Sequence, residues 1–162
     1  MGDFSLTITI EQQPAVAFAF IAEPTNMTRW YDAVDHVTIT AGEPIGRGTR
    51  FETVRSLPGG RAINDVEITD YEPNRRITFE SRQGPTPFRY RYTLEPTGNH
   101  TVVTLEGRIS GAGLAGPAAH LGPVATQLFK RGMRQNLDVL KRLKRLVESE
   151  PPRRSTVKTR RQ

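Results

Sequence analysis

Residues 123–148 read PVATQLFKRGMRQNLDVLKRLKRLVE, the one long helix the chain spells out. At about 100° per residue, Phe129, Met133, Asn136, Leu137, Leu140, Leu143 and Val147 gather on one side, and Leu128, Val139 and Leu146 widen it. Lys130, Arg131, Arg134, Lys141, Arg142 and Arg145 fall opposite. A helix apolar on one side only is buried on one side only. At about 1.5 Å per residue it would run about 40 Å, too long for a small globule to surround, so it must lie along a surface. Pro123 suits the first turn, where a missing N–H costs nothing, and Pro151-Pro152 forbid continuation. Nearly everything upstream reads as strand, which makes a sheet the partner of this helix.

Working back to the start, Phe4, Leu6, Ile8 and Ile10 alternate with polar residues, as in a strand with one buried face. The period then changes over Pro14–Ile21. That stretch is compatible with a helix stopping at Glu23-Pro24, and a second short helix follows through Trp30, with Thr25 as its cap. Six further strand-like runs come next: VDHVTITAG (34–42), GTRFETVRS (48–56), RAINDVEITDY (61–71), RRITFES (75–81), FRYRYTLE (88–95) and HTVVTLEGRIS (100–110). Between them lie short turn-forming stretches: residues 42–48, Pro58-Gly59-Gly60, Glu72-Pro73-Asn74, residues 84–87 and residues 96–99. Short connections predict antiparallel neighbours, with strands adjacent in sequence also adjacent in the sheet. The expected fold is α+β: two short helices after strand one, then a curved antiparallel sheet of about seven strands wrapped around the C-terminal helix.

The order of elements and several local stretches resemble the SRPBCC superfamily (START, polyketide cyclase/dehydrase, birch-pollen allergen) and its helix-grip fold, in the polyketide-cyclase-like branch. Pro24-Thr-Asn-Met-Thr-Arg-Trp30 is similar to the family's second-helix segment, and Pro44-Ile-Gly-Arg-Gly-Thr-Arg-Phe51 to its glycine-bearing entry into a strand. The run from Val66 to Phe79 resembles its central hairpin, and Asn136 to Leu143 its terminal helix. The resemblance implies a cavity between sheet and helix that takes a small hydrophobic ligand: a lipid, a polyketide or an isoprenoid-like molecule. Two alternatives stand beside it. One is an aromatase/cyclase-type enzyme in which Tyr90, Tyr92 or Arg55 polarises a substrate or moves a proton. The other is an interaction protein acting through its basic tail.

Period two puts Phe88, Tyr90, Tyr92 and Leu94 on one face of their strand and Arg89, Arg91 and Thr93 on the other. The aromatic face is assigned inward. Tyr90 and Tyr92 either fill core with their hydroxyls at a rim or anchor a ligand in an apolar pocket. Asn136, an amide on the apolar side of the helix, either makes a structural hydrogen bond or holds a ligand oxygen. Gly132, one turn earlier, fits a close approach of the sheet or leaves room for ligand. Trp30 packs or borders the cavity mouth. Together with Phe51, Phe129, Met133 and Leu137 these are the candidate ligand-binding residues: Trp30, Phe51, Phe88, Tyr90, Tyr92, Phe129, Met133, Asn136 and Leu137.

The 162 residues, 36% hydrophobic and 25% charged, suit one domain over 1–150. The formal charge of +6 is a property of the tail. Residues 151–162, PPRRSTVKTRRQ, contain five basic residues and no acid; subtracting five from 23 leaves 18 against 17 acids, a body near +1. A Pro/Ser/Thr/Arg segment without apolar anchors is expected to be disordered, with at most weak contact to nucleic acid or an anionic membrane. The opening MGDFSLTITI lacks the basic and apolar regions of a secretory signal, and no run is long enough to span a bilayer, so the expected location is cytoplasmic.

The absence of Cys excludes thiolate chemistry and disulfides. His36, His100 and His120 have no metal-ligand spacing, and no metal or cofactor is expected. Gly111-Ala-Gly113-Leu-Ala-Gly116 spells G-x-G-x-x-G. The strands before it are joined by hairpins, however, and no strand follows the helix, so it reads as a loop beside the cavity and not as a dinucleotide fingerprint.

Overall fold

The computed structural model describes residues 2–57, 60–84, 87–109 and 122–140. Strand β1 (Gly2–Ile10) is followed by α1 (Pro14–Ala22), a 3-10 turn (Pro24–Asn26) and α2 (Met27–Trp30). Six strands come next: β2 (Val34–Ala41), β3 (Arg50–Leu57), β4 (Gly60–Glu72), β5 (Arg76–Gln83), β6 (Phe88–Thr97) and β7 (His100–Ile109). Helix α3 (Gly122–Leu140) closes the described chain.

All seven strands form one antiparallel sheet in the order β1-β7-β6-β5-β4-β3-β2. From β2 to β7 each strand pairs with its neighbour in sequence, as the short turns require. The expectation fails at β1, which pairs with β7 and not with β2. The cause is the helical insertion: α1 and α2 carry the chain across the sheet before β2 begins at the far edge. Register shifts interrupt the β2–β3 and β4–β5 pairings, and such irregularities increase the local bend and twist of a sheet. The sheet, α1, α2 and α3 share one core, which runs from Phe4 and Leu6 on β1 to Leu137 and Leu140 on α3.

α1 starts on Pro14, buries Ala17, Phe18, Phe20, Ile21 and Ala22, and ends where Glu23 turns extended ahead of Pro24. Thr25 does not cap the next helix. Its hydroxyl donates to the Glu23 carboxylate, and Asn26, at the start of α2, makes no side-chain cap either. The Asn26 amide instead donates to the Phe20 carbonyl at 3.1 Å, tying α2 back to α1. The two sides of α3 separate as the wheel predicts: Met133, Asn136, Leu137 and Leu140 are buried, while Arg131, Arg134 and Asp138 are exposed. Its described length of 19 residues corresponds to about 28 Å. The predicted continuation to Glu148, the glycine stretch 111–116, His120 and the tail 151–162 lie outside the described residues, as do parts of the turns at 58–59 and 85–86.

A single glycine in the sheet is fixed by packing. Gly107 on β7 stands in register between Phe4 on β1 and Tyr90 on β6, and a β-carbon there would overlap the Phe4 ring. The ring therefore lies across the glycine and meets Tyr90 with 6.3 Å between centroids.

Candidate functional site

The sheet face turned toward α3 is built in cross-strand rows, because paired residues on antiparallel strands share a face. One row runs Phe4, Gly107, Tyr90, Phe79 and Ile68, and the next runs Leu6, Leu105, Tyr92, Ile77 and Tyr71. Nearer the β2 edge the rows become polar. Val37, Thr53 and Asn64 stand in line, as do Val34, Arg55 and Ala62. Arg55 shares the parity of Phe51 and Thr53 on β3, so its side chain enters this face between two apolar neighbours.

The guanidinium of Arg55 donates to the Asn64 amide oxygen at 2.6 Å and lies 5.5 Å from the centre of the Phe88 ring. Phe88 in turn stacks on Tyr90 at 4.7 Å and 18°. Burial lowers the pKa of Arg55, and the neighbouring Tyr90 and Tyr31 phenols offset part of that effect. Tyr90 is pushed up to about 12 by burial, while the field of Arg55 pulls it the other way. Tyr31 and Tyr92 share a hydrogen bond between their hydroxyls, and burial raises both phenols far above their ordinary value.

Trp30 seals this cluster from the α2 side. Its ring is 2% exposed and packs edge-on against Tyr31 at 4.2 Å and Tyr92 at 5.7 Å. The aromatic contacts continue from Tyr92 to Phe79 at 6.1 Å and from Phe79 to Phe51 at 5.8 Å. In this wall the Trp30 indole nitrogen and the Thr53 hydroxyl are buried without a hydrogen-bond partner among the described residues. From α3, the Asn136 amide oxygen accepts the Asp32 backbone N–H at 3.0 Å, and its nitrogen faces the Met133 sulfur at 3.5 Å. The bond from Asp32 is structural and pins the α2–β2 connection to α3. Around Gly132 no atom of the described residues comes within 4 Å of where a β-carbon would sit, so the described sheet makes no close approach to that glycine.

Of the nine candidates, Trp30, Phe51, Tyr90, Tyr92, Met133, Asn136 and Leu137 are buried and Phe88 is half-buried. Phe129 belongs to α3, but its side chain lies outside the described residues. The candidates fall into an aromatic set on the sheet and α2 and a second set, Met133, Asn136 and Leu137, on α3. Sequence reasoning missed Tyr31, Asn64, Phe79 and the Phe4–Gly107 contact. Parity could have found Asn64, which stands between Ala62 and Val66 in the alternation of β4.

The opposite sheet face is charged and wet. Arg50 pairs with Asp65 at 2.9 Å, Arg82 with Glu67 and Arg76 with Asp70, whose carboxyl the Arg76 hydrogen bond holds below its usual range. A depression of about 510 Å³ is lined by Ser5, Arg89, Arg91, Glu106 and Arg108 together with Phe4 and Gly107 of the first inner row, so it reaches the apolar wall at the β1–β7 pairing. Among the described residues, no three His, Asp or Glu side chains come together as a metal site, and no helix is long and apolar enough to cross a membrane.

Residues 1–148 match the model of the family described as polyketide cyclase/dehydrase and lipid transport. The chain belongs to this family. An uncharacterized protein of Mycobacterium tuberculosis is 28% identical over 145 residues, covering 86% of this chain and 82% of that protein. A START superfamily protein from Mycobacterium smegmatis shares the fold with a TM-score of 0.73 at 16% identity, over 89% of this chain and 98% of that one. Protein TTHA0849 from Thermus thermophilus gives 0.75 at 18%, covering 92% of this chain and all of that one. The Zhui aromatase/cyclase from Streptomyces gives 0.68 at 14%, covering 91% and 96%. At these identities the solved structures establish the helix-grip fold.

Proposed function

We propose that this family member binds a small, mostly apolar molecule, of lipid, polyketide or isoprenoid-like character, between the inner sheet face and α3. The observation that carries the reading is the polar cluster set into an aromatic wall: Arg55, Asn64, Tyr90 and the unpartnered Trp30 and Thr53 atoms. A buried polar atom left without a partner costs about 1–3 kcal/mol, which a solid apolar core would avoid. Small pockets that orient a ligand have this composition, mostly apolar with a few convergent polar groups. The nine candidate residues are proposed as its lining.

The test is titration of the native protein with an environment-sensitive apolar dye and with a fatty acid, followed by Trp30 fluorescence. Stoichiometric binding is expected, and Met133→Trp, which fills space from the α3 side, should abolish it while the protein stays folded. Met133→Trp that loses stability in a protein showing no binding would identify a sealed core and overturn the reading.

A second reading, an aromatase/cyclase-type enzyme, is favoured by one arrangement: Arg55 and the Tyr90 phenol flank the Phe88 ring, and the charge of Arg55 offsets part of the rise that burial imposes on Tyr90, so a cation and a protonated phenol stand together where a carbonyl could be polarised. Turnover of a poly-β-ketone that fails in Tyr90→Phe while binding persists would establish it. The basic residues of 151–162 are proposed to add a weak, salt-dependent attraction to nucleic acid or anionic membranes. Truncation after Glu150 that leaves heparin affinity unchanged would remove that role.

A further inference from the structure

Charge is segregated along the chain, and the division falls inside the fold. From Lys130 onward there are 12 basic residues and three acids, a net charge of +9, whereas residues 1–129 hold 11 basic residues against 14 acids, a net charge of −3. The positive part begins on α3, with Lys130, Arg131 and Arg134. Successive helix positions are about 100° apart, so these three lie within about 100° of arc, on the side turned away from Met133, Leu137 and Leu140. Arg131 and Arg134 are exposed and Lys130 is half-buried. The same period carries Lys141, Arg142 and Arg145 onto this side in the sequence, and Asp138 is the one acid among them.

Cations of the sheet region are largely answered by the fold. Arg50, Arg75, Arg76, Arg82 and Arg91 each form an ion pair with a carboxylate. Among the described residues, Lys130, Arg131 and Arg134 form none. Lys130 and Arg134 are also an i, i+4 pair of like charge, which works against the helix that holds them. An anionic surface laid along α3 would relieve that repulsion.

Two observations select a lipid surface over a nucleic acid. The exposed side chains described on α3 are Gln127, Arg131, Arg134, Gln135 and Asp138, with no aromatic ring on which a base could stack. The division into +9 and −3 acts on orientation as well: an anionic plane attracts the one part and repels the other, which turns α3 toward the plane. Met133, Leu137 and Leu140 already belong to the core, so this contact rests on charge and not on insertion of an apolar side.

We infer that the outer side of α3 is a docking face for an anionic lipid surface. If the ligand-binding reading above holds, docking also sets the α3 wall of that site beside the membrane in which an apolar ligand dissolves.

The test is co-sedimentation of the full chain with vesicles of phosphatidylglycerol and phosphatidylcholine, with vesicles of phosphatidylcholine alone, and binding to duplex DNA at the same salt. Binding to the anionic vesicles only is expected, and it should disappear in molar salt. Each basic residue near such a surface contributes about fivefold in affinity, so Lys130→Gln/Arg131→Gln/Arg134→Gln should weaken binding by about tenfold to a hundredfold. The control removes the same charge from the sheet region, at the exposed Arg47, Arg61 and Arg89, and should change binding by less than about threefold, since charges beyond a Debye length are screened. Circular dichroism checks that each variant is folded; if the α3 triple variant is not, Arg131→Gln and Arg134→Gln made singly, at about fivefold each, decide. Equal losses from the two triple variants overturn the inference, because net charge and not the α3 face would then set affinity. Equal binding to both kinds of vesicle, or binding that persists in molar salt, overturns it too. So does duplex DNA that half-saturates at a lower phosphate concentration than the vesicles and is lost in the α3 variant, which would make this a nucleic-acid face. Titration with the apolar dye in the absence of vesicles is read separately: its failure removes the ligand-binding reading and leaves docking, while failure on the vesicles removes docking alone.

Discussion

Removing one hydroxyl from the Tyr31–Tyr92 pair is predicted to cost more than removing both. Tyr92 is fully buried and Tyr31 is 9% exposed, so neither hydroxyl has water to fall back on. Tyr92→Phe leaves the Tyr31 hydroxyl without its partner, and Tyr31→Phe does the reverse. Each single change should therefore cost about 1–3 kcal/mol, the desolvation penalty of an orphaned group. In a chain of this size that is a fall in Tm of about 2–4 °C per kcal/mol. The double variant keeps both rings and their edge-on contacts with Trp30 and deletes donor and acceptor together, so its loss should stay below about 1 kcal/mol. A double-mutant cycle should then give a coupling of at least about 1 kcal/mol, since the two single losses together exceed the double loss by that much or more. Urea melts followed by far-UV circular dichroism and by Trp30 fluorescence supply all four corners. Additive losses, or two silent single variants, would refute the claim that the hydroxyls satisfy each other in a dry site.

Burial raises the pKa of Tyr31, Tyr90 and Tyr92, so the folded chain keeps protons that the unfolded chain releases near pH 10. Their stabilising contribution is complete below that pH and is lost as pH rises through about 12 for Tyr90, at up to about 1.4 kcal/mol per pH unit for each tyrosine. Tyrosinate absorbance from these three should appear with alkaline unfolding, and its appearance in the folded protein near pH 10 would contradict the burial assignment. Gly107→Ala should destabilise by about 1–3 kcal/mol by driving a methyl into the Phe4 ring, and Phe4→Leu should rescue part of the loss; a neutral Gly107→Ala in urea melts would mean the ring is elsewhere. Leu140→Ala should cost about 2–5 kcal/mol and the exposed Arg134→Ala less than about 0.5, whereas equal losses would mean that α3 is rotated about its axis. Gly132→Ala meets no atom of the described residues and lies inside a helix, so it should stabilise by about 0.5–1 kcal/mol; a loss of stability on thermal melting would show that the space is not free.

Periodicity made the scaffold legible before any coordinates. Phe4, Leu6, Ile8 and Ile10, or Tyr90, Tyr92 and Leu94, face one way because a strand has no other choice, and the apolar side of α3 follows from a repeat of 3.6. Turn residues then fixed which strands are neighbours from β2 onward. The position of β1 was not legible, because it depends on how far α1 and α2 carry the chain, and that is set by packing such as the Asn26–Phe20 bond. The Tyr31–Tyr92 pair was hidden for a similar reason: its members are 61 positions apart and meet only when α2 folds back over β6. Thr25 was misread because a threonine after Glu23-Pro24 has a competing acceptor in the Glu23 carboxylate, closer at hand than the backbone N–H groups of the next turn. Arg55 lay within reach of parity alone, since Phe51 and Thr53 share its face.

The two faces of the sheet use arginine in opposite ways, and the contrast is what singles out the interior cluster. On the outer face Arg50, Arg76 and Arg82 each meet a carboxylate, with side chains 41–43% exposed. Pairs that wet contribute little to stability, and lysine or glutamine would serve nearly as well there. Arg55 stands on the inner face in the row of Val34 and Ala62, where the alternation of the strand calls for an apolar residue. Desolvating its charge works against folding, as the lowered pKa records. Asn64 and the Phe88 ring compensate by geometry, and they do so at two further inner positions that would otherwise be available for core packing. A sequence under pressure for stability alone has a simpler solution at position 55, an aliphatic side chain like those on either side of it. Local rules that yield the strands and faces around this point break at Arg55 and its neighbours, and a break of that kind is the reason the proposed binding site is centred there.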